Sequence, residues 1–140
     1  MGYKLYLDTN IILDLADMER TTSETTNRTI DRLIAEGSIE FSINSDTLST
    51  SYFILVSRKK ITQENALAIL EKVERMCDIV PINASDVREA LTLCKDSSTP
   101  FHDYEDAIQF VCARKIGADL IVTQDRGFVS DGIEILVPTL

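Results

Sequence analysis

Apolar residues along this chain follow two rhythms. Leu5, Tyr6 and Leu7 form one unbroken apolar run, and Leu120, Ile121 and Val122 form another. Runs without polar alternation predict strands covered on both faces. Ile39, Phe41 and Ile43 alternate as a further strand, "IVPI" (79–82) reads as a short strand broken by Pro81, and 133–137 as a last one. Helical spacing fills the intervals. A short helix opens near Asn10 and runs through Leu15, and Ile30, Leu33 and Ile34 mark a second that Gly37 stops. "ERTTSETTNRT" (19–29), polar and β-branched, reads as a loop or the frayed start of that helix. After the second strand, Ser45 or Asp46 is the expected N-cap of a helix with Leu48, Tyr52, Leu55 and Val56 inside, and Thr62 caps the next. Further helices are predicted over 84–94 and 103–116, the last ended by Gly117.

Strands too apolar to be wet on either face, separated by helices, predict an α/β protein: three layers, α/β/α, around a central, mostly parallel sheet. The 140 residues suit one domain, with no repeat, low-complexity tract or linker. No apolar run approaches the roughly 20 residues that span a bilayer. The start, with its single Lys4, does not read as a signal peptide, so no membrane role and a cytoplasmic location are expected. Cys77, Cys94 and Cys112 form no C-x-x-C pair, and each lies in a stretch read as helical, where a free thiol acts as a small hydrophobe.

Two of the buried strands deliver an aspartate where they meet solvent: Asp8 after Leu7, and Asp125 in "TQDRGF" after Val122. In open parallel sheets, ligands bind at the carboxyl ends of strands near the point where strand order reverses. "FHDYEDAIQF" adds Asp103 and Asp106, three residues apart and so on one face of a helix's first turn. Each has a plainer reading as well. Asp8 could cap a helix, Asp103 could be an N-cap with Asp106 at N3, and Asp125 could form a turn. Together they predict three or four carboxylates aimed at one crevice. Two carboxylates about 4 Å apart repel by roughly 4 kcal/mol at an effective dielectric near 20, so a cluster without Lys or Arg needs protons or cations. With one His in the chain, all-oxygen donors suit Mg²⁺ or Mn²⁺. The net charge of −9 runs against the basic footprint usual for nucleic-acid binding, unless the acids surround cations or a partner supplies basic surface.

"LYLDTNIILDL" near the start and "DYEDAIQFVCARKIGADLIVTQDRGF" near the end resemble the PIN domain family, most closely its VapC-type toxins, over nearly the whole chain. The resemblance implies a Mg²⁺- or Mn²⁺-dependent ribonuclease with Asp8, Asp106 and Asp125 as metal ligands. It implies Asn10 and Thr123 as supporting polar positions, and Asp103 as a secondary acid acting through water. His102 and Arg126 are candidates to touch substrate phosphate. RNA as substrate, an antitoxin protein as partner and a homodimer follow from the same resemblance. One position departs from the pattern: where the family usually carries a Glu in the helix after the second strand, this chain has Thr50, with Asp46 one turn earlier. That departure defines the alternative, a catalytically weakened PIN fold acting through a protein partner. Phosphatases of the haloacid-dehalogenase type need D-x-D where this chain has Asp8 and Asn10, and receiver domains need a late Lys that is absent.

Overall fold

A computed structural model describes residues 2–139. The apolar runs become five strands: β1 (Tyr3–Leu7), β2 (Ile39–Asn44), β3 (Cys77–Val80), β4 (Leu120–Val122) and β5 (Glu134–Leu136). They lie in the order β3-β2-β1-β4-β5, and all four pairings are parallel. β1 is therefore central, with Leu5 opposite both Phe41 of β2 and Leu120 of β4. The chain first winds outward through β2 and β3, then returns to the other side of β1 as β4. The strand order reverses between β1 and β4, which makes the carboxyl ends of these two strands the expected crevice.

Among the described residues six helices cover the sheet: α1 (Thr9–Ala16), α2 (Ser23–Glu36), α3 (Ser45–Ser57), α4 (Gln63–Met76), α5 (Ala84–Lys95) and α6 (Tyr104–Lys115). Alternation along β1 divides the core. Leu5 and Leu7 pack with Ile11 and Ile12 of α1, Ile30 and Leu33 of α2 and Val73 of α4. Tyr6 points to the opposite face, into a cluster with Ala90 of α5, Phe110 and Val111 of α6, Phe101 and Phe128. This is the three-layer α/β/α arrangement that the hydrophobic pattern predicts. Among the described residues no helix is long and apolar enough to cross a membrane.

Three local expectations need correction. Cys77 opens β3 rather than lying in a helix; Cys94 and Cys112 are helical, and all three thiols are free. Asn44, not Ser45 or Asp46, caps α3, its side chain accepting from the Thr47 backbone N–H at 2.9 Å. The buried stripe of α3 is Thr47, Ser51 and Leu55, whereas Leu48, Tyr52 and Val56 are only partly covered. The cap explains the shift: Asn44 is the last residue of β2, so the helix begins with no loop between.

The polar stretch 19–29 is also more ordered than its composition suggests, being helical from Ser23. Its organiser is Asp14 of α1, fully buried. Arg20 donates to its Oδ1 at 2.7 Å, Thr22 to the same oxygen at 2.8 Å and Thr26 to Oδ2 at 2.6 Å. Hydroxyls that would otherwise favour loop are drawn inward to satisfy a buried charge.

Candidate active site

Asp8 leaves β1 and caps α1 in the same residue. Its backbone is extended (φ −68°, ψ 157°), and Oδ1 accepts from the Thr9 backbone N–H at 2.7 Å. The capping role and the crevice-facing role are thus one geometry. Oδ2 accepts from the Thr123 hydroxyl at 2.8 Å and from Asn10 Nδ2 at 3.3 Å. Thr123 directly follows β4 and is fully buried, with its hydroxyl bonded to three groups. It donates to Asp8 while accepting from Asn10 Nδ2 at 3.2 Å and from the Asp125 backbone N–H at 3.0 Å. Asn10 Oδ1 accepts from the Gln124 backbone N–H at 3.0 Å. The ends of β1 and β4 are therefore stitched together around the Asp8 carboxylate.

From α6 comes Asp106. Asp103 caps that helix, Oδ1 accepting from the Asp106 N–H at 3.1 Å, which fixes the first turn and the half-buried Asp106 with it. Asp8, Asp106 and Asp125 line one cleft of ≈ 240 Å³, together with Thr50 and Ile54 of α3 and Leu13 of α1. Of the residues named from sequence, Asp8, Asn10, Thr50, Asp106 and Asp125 line it. Thr123 lies beneath it, and Asp103 supports it from the helix cap. His102 and Arg126 are exposed and outside the lining. Asp46 borders only a neighbouring cavity of ≈ 130 Å³.

Thr9, Leu13, Ile54, Glu105 and Gln109 also line the cleft, and of these Glu105 and Gln109 bear most on its chemistry. Glu105 follows Asp103 too closely to share its face, so the three-residue spacing passed over it. Gln109 lies three residues after Asp106, a polar residue inside the buried stripe Ala107, Ile108, Phe110 and Val111. That interruption was the available signal. Gln109 Nε2 donates to Thr9 Oγ1 at 3.1 Å, while its carbonyl accepts from the Tyr6 hydroxyl and, at 3.1 Å, from Asn44 Nδ2. Asn44 Nδ2 also donates to the Tyr6 oxygen at 2.8 Å. This floor joins β1, β2, α1 and α6 directly under the acids. Burial holds the Tyr6 phenol well above its ordinary pKa, so it stays a neutral donor.

The electrostatics of the cleft are unbalanced. No ion pair among the described residues involves Asp8, Asp103, Glu105, Asp106 or Asp125, whereas Asp14, Asp17 and Asp86 each have a cation. Burial raises the Asp8 carboxyl pKa, against the bonds from Thr123 and Thr9, and the Asp125 and Glu105 charges raise it further. Asp106 is pushed up to about 6, first by burial and then by the charges of Asp103, Asp8, Asp125 and Glu105. Among the described residues no three acids stand ready-made around a single ion. Carboxylates without counter-charge are expected to keep apart in this way.

The larger cavity, ≈ 400 Å³, lies elsewhere, between α1, α2 and α4. It is lined chiefly by apolar side chains, among them Leu15, Ile30, Ile34, Ile69 and Met76. Its charged lining residues, Asp31 and Lys72, are opposite in sign and do not form a cluster of acids, so it is not the candidate for chemistry.

The acids of the cleft fall within a stretch, residues 4–127, that matches the PIN domain family. The chain belongs to the PIN domain family. It is 31% identical to "Ribonuclease VapC1" of Aquifex aeolicus (strain VF5) over 133 residues, 95% of this chain and 89% of that protein. Its fold is similar to that of DNA-bound VapBC from Salmonella typhimurium, with a TM-score of 0.71 at 20% identity, covering 99% of this PIN domain and 100% of that chain. A toxin-antitoxin complex from Klebsiella pneumoniae gives a TM-score of 0.66 at 17% identity over 96% and 98% of the two chains.

Proposed function

We propose that this PIN domain is a Mg²⁺- or Mn²⁺-dependent endoribonuclease, the toxin of a toxin–antitoxin pair, acting in the cytoplasm. The observation that carries this reading is the set of uncompensated carboxylates at the β1–β4 switch point, in a chain 31% identical to a VapC ribonuclease. The donors fit a hard cation. They are oxygens only, no Lys or Arg neutralises them, and burial first, then the neighbouring negative charges, raise Asp8 and Asp106. Asp8, Asp106 and Asp125 would hold the ion, and Asp103 would act through water. Bound there, the ion supplies Lewis acidity and neutralises charge for hydrolysis of a phosphodiester.

In the reaction, water's oxygen forms a bond to phosphorus, the bond to the 3′ oxygen breaks, and that oxygen leaves with a proton. The chain's own residues prepare the site for it. Thr123 and Asn10 hold Oδ2 of Asp8 in one orientation, and Thr9 holds Oδ1, so the carboxylate cannot rotate. Gln109 fixes Thr9 from below. Leu13 and Ile54 give the cleft an apolar wall that strengthens charge interactions within it. His102 and Arg126, exposed on either side of the acids in sequence, are proposed to meet flanking phosphates of the RNA.

For an antitoxin, the surface of matching character is the apolar groove between α1, α2 and α4, with Met18 and Ile34 exposed beside it. A homodimer is proposed as the free state. Asp8→Asn and Asp106→Asn, each assayed for RNA cleavage with Mn²⁺, are expected to lose at least about a hundredfold in rate, the scale of removing a metal ligand or its support. Cleavage at the wild-type rate by both variants would overturn the mechanism.

A further inference from the structure

The acidic cleft is charged on three sides only. β1 supplies Asp8, α6 supplies Asp106, and the segment after β4 supplies Asp125, while the α3 wall presents Thr50 and Ile54. Glu105 lies where that fourth side meets α6. It lines the cleft together with Thr50, and the two residues also line the neighbouring cavity that reaches Asp46 and Asn44. Consecutive positions on a helix lie about 100° apart, so Glu105 and Asp106 leave α6 in different directions while both border one cleft. The Glu105 side chain is exposed and makes no hydrogen bond or ion pair among the described residues. It is near enough that its charge contributes to raising both Asp8 and Asp106. Asp46 is the competing acid, yet it borders only the neighbouring cavity and not the cleft itself.

We infer that Glu105 is the fourth acid of the metal-holding set, supplying from the first turn of α6 the carboxylate that the α3 wall lacks at Thr50. This rests on the metal reading of the cleft and names a ligand beyond it. Glu105 is unbranched beyond its backbone and exposed, so its carboxylate swings toward a cation without disturbing the packed side of α6. As part of the first turn it also favours the helix dipole, a small effect that Gln would mostly forgo without unfolding the helix.

The test is Mn²⁺ titration by calorimetry on the full chain, with folding followed by circular dichroism. Glu105→Gln should weaken Mn²⁺ binding about tenfold, and Asp46→Asn should leave it within about twofold, one decade corresponding to 1.4 kcal/mol. Thr50→Glu in the Glu105→Gln background should restore binding to within about threefold of wild type, whereas Thr50→Glu alone should add little. If Thr50→Glu fails to fold, Thr50→Asp takes its place. Wild-type binding by Glu105→Gln, failure of the double variant to recover, or a tenfold gain from Thr50→Glu alone would each overturn the inference. Asp106→Asn separates the two levels. If it too binds Mn²⁺ normally, the metal reading of the cleft falls; if it loses binding while Glu105→Gln does not, only the role of Glu105 falls.

Discussion

Asp8 and Asp14 sit six residues apart at the two ends of one short helix, both buried, and the protein treats them oppositely. Asp14 is surrounded by donors: a guanidinium and two hydroxyls reach its oxygens at 2.6–2.8 Å. Asp8 also has its hydrogen bonds, but the charges of Asp125 and Glu105 that act on it are both negative. A buried carboxylate with its own cation is a piece of architecture. A buried carboxylate that shares its space with other acids stores unfavourable charge that something outside the chain can relieve. Burial alone does not tell the two apart; the sign of the neighbours does.

Cutting the compensated region should have the largest effect on stability. Asp14→Ala strands Arg20 and two inward hydroxyls, and is expected to cost about 3–5 kcal/mol in urea unfolding. A cost below about 1 kcal/mol would mean that the α1–α2 junction does not depend on this charge. The uncompensated region should respond with the opposite sign. The Asp106 carboxyl is raised from 3.8 to about 6 in the folded chain, so its stabilising protonated form is fully present below pH 4 and is lost as pH rises through about 6. At pH 7 in chelator, Asp106→Asn should therefore be more stable than wild type. Because Asp106 is half exposed, solvent screening leaves that gain near ~1 kcal/mol. The gap should close as pH falls toward 4, and a gap that widens instead would contradict the sign. Millimolar Mn²⁺ should stabilise wild type and not Asp106→Asn, reversing their order at pH 7.

The smallest effect belongs to a pair that is neither buried nor crowded. Arg28 and Glu24 meet at 2.8 Å on the open face of α2, with both side chains about 70% exposed. Glu24→Gln is expected to change unfolding free energy by less than about 0.5 kcal/mol. A larger loss would show that α2 leans on its surface charges as well as on Asp14.

Much of the fold was legible because strand and helix periodicities are local. The apolar runs at 5–7 and 120–122, the alternation at 39–43 and the stop at Gly37 all fall where the elements begin or end. The polar tract before Ile30 is more ordered than its local pattern implies, because its hydroxyls fold onto Asp14, a partner earlier in the chain that no local pattern reveals. The site was legible to a similar depth. Asp8 and Asp125 follow from strand ends that converge on one edge of a parallel sheet, Asp106 from its spacing with Asp103 in a first helical turn, and Asn10 only from the family resemblance. Glu105 and Gln109 could not, since their relevance depends on what α3 and β1 present across the cleft.

By itself, then, the order of residues determined which segments are strands and helices, that the sheet is parallel, and that aspartates lie at its carboxyl edge. Those follow from side-chain periodicity and from the geometry of right-handed crossovers. Only the tertiary structure decided which buried acid is neutralised and which is left charged among its own kind. That choice depends on contacts between residues up to 115 positions apart, such as Thr123 on Asp8, and no local feature of the sequence encodes it.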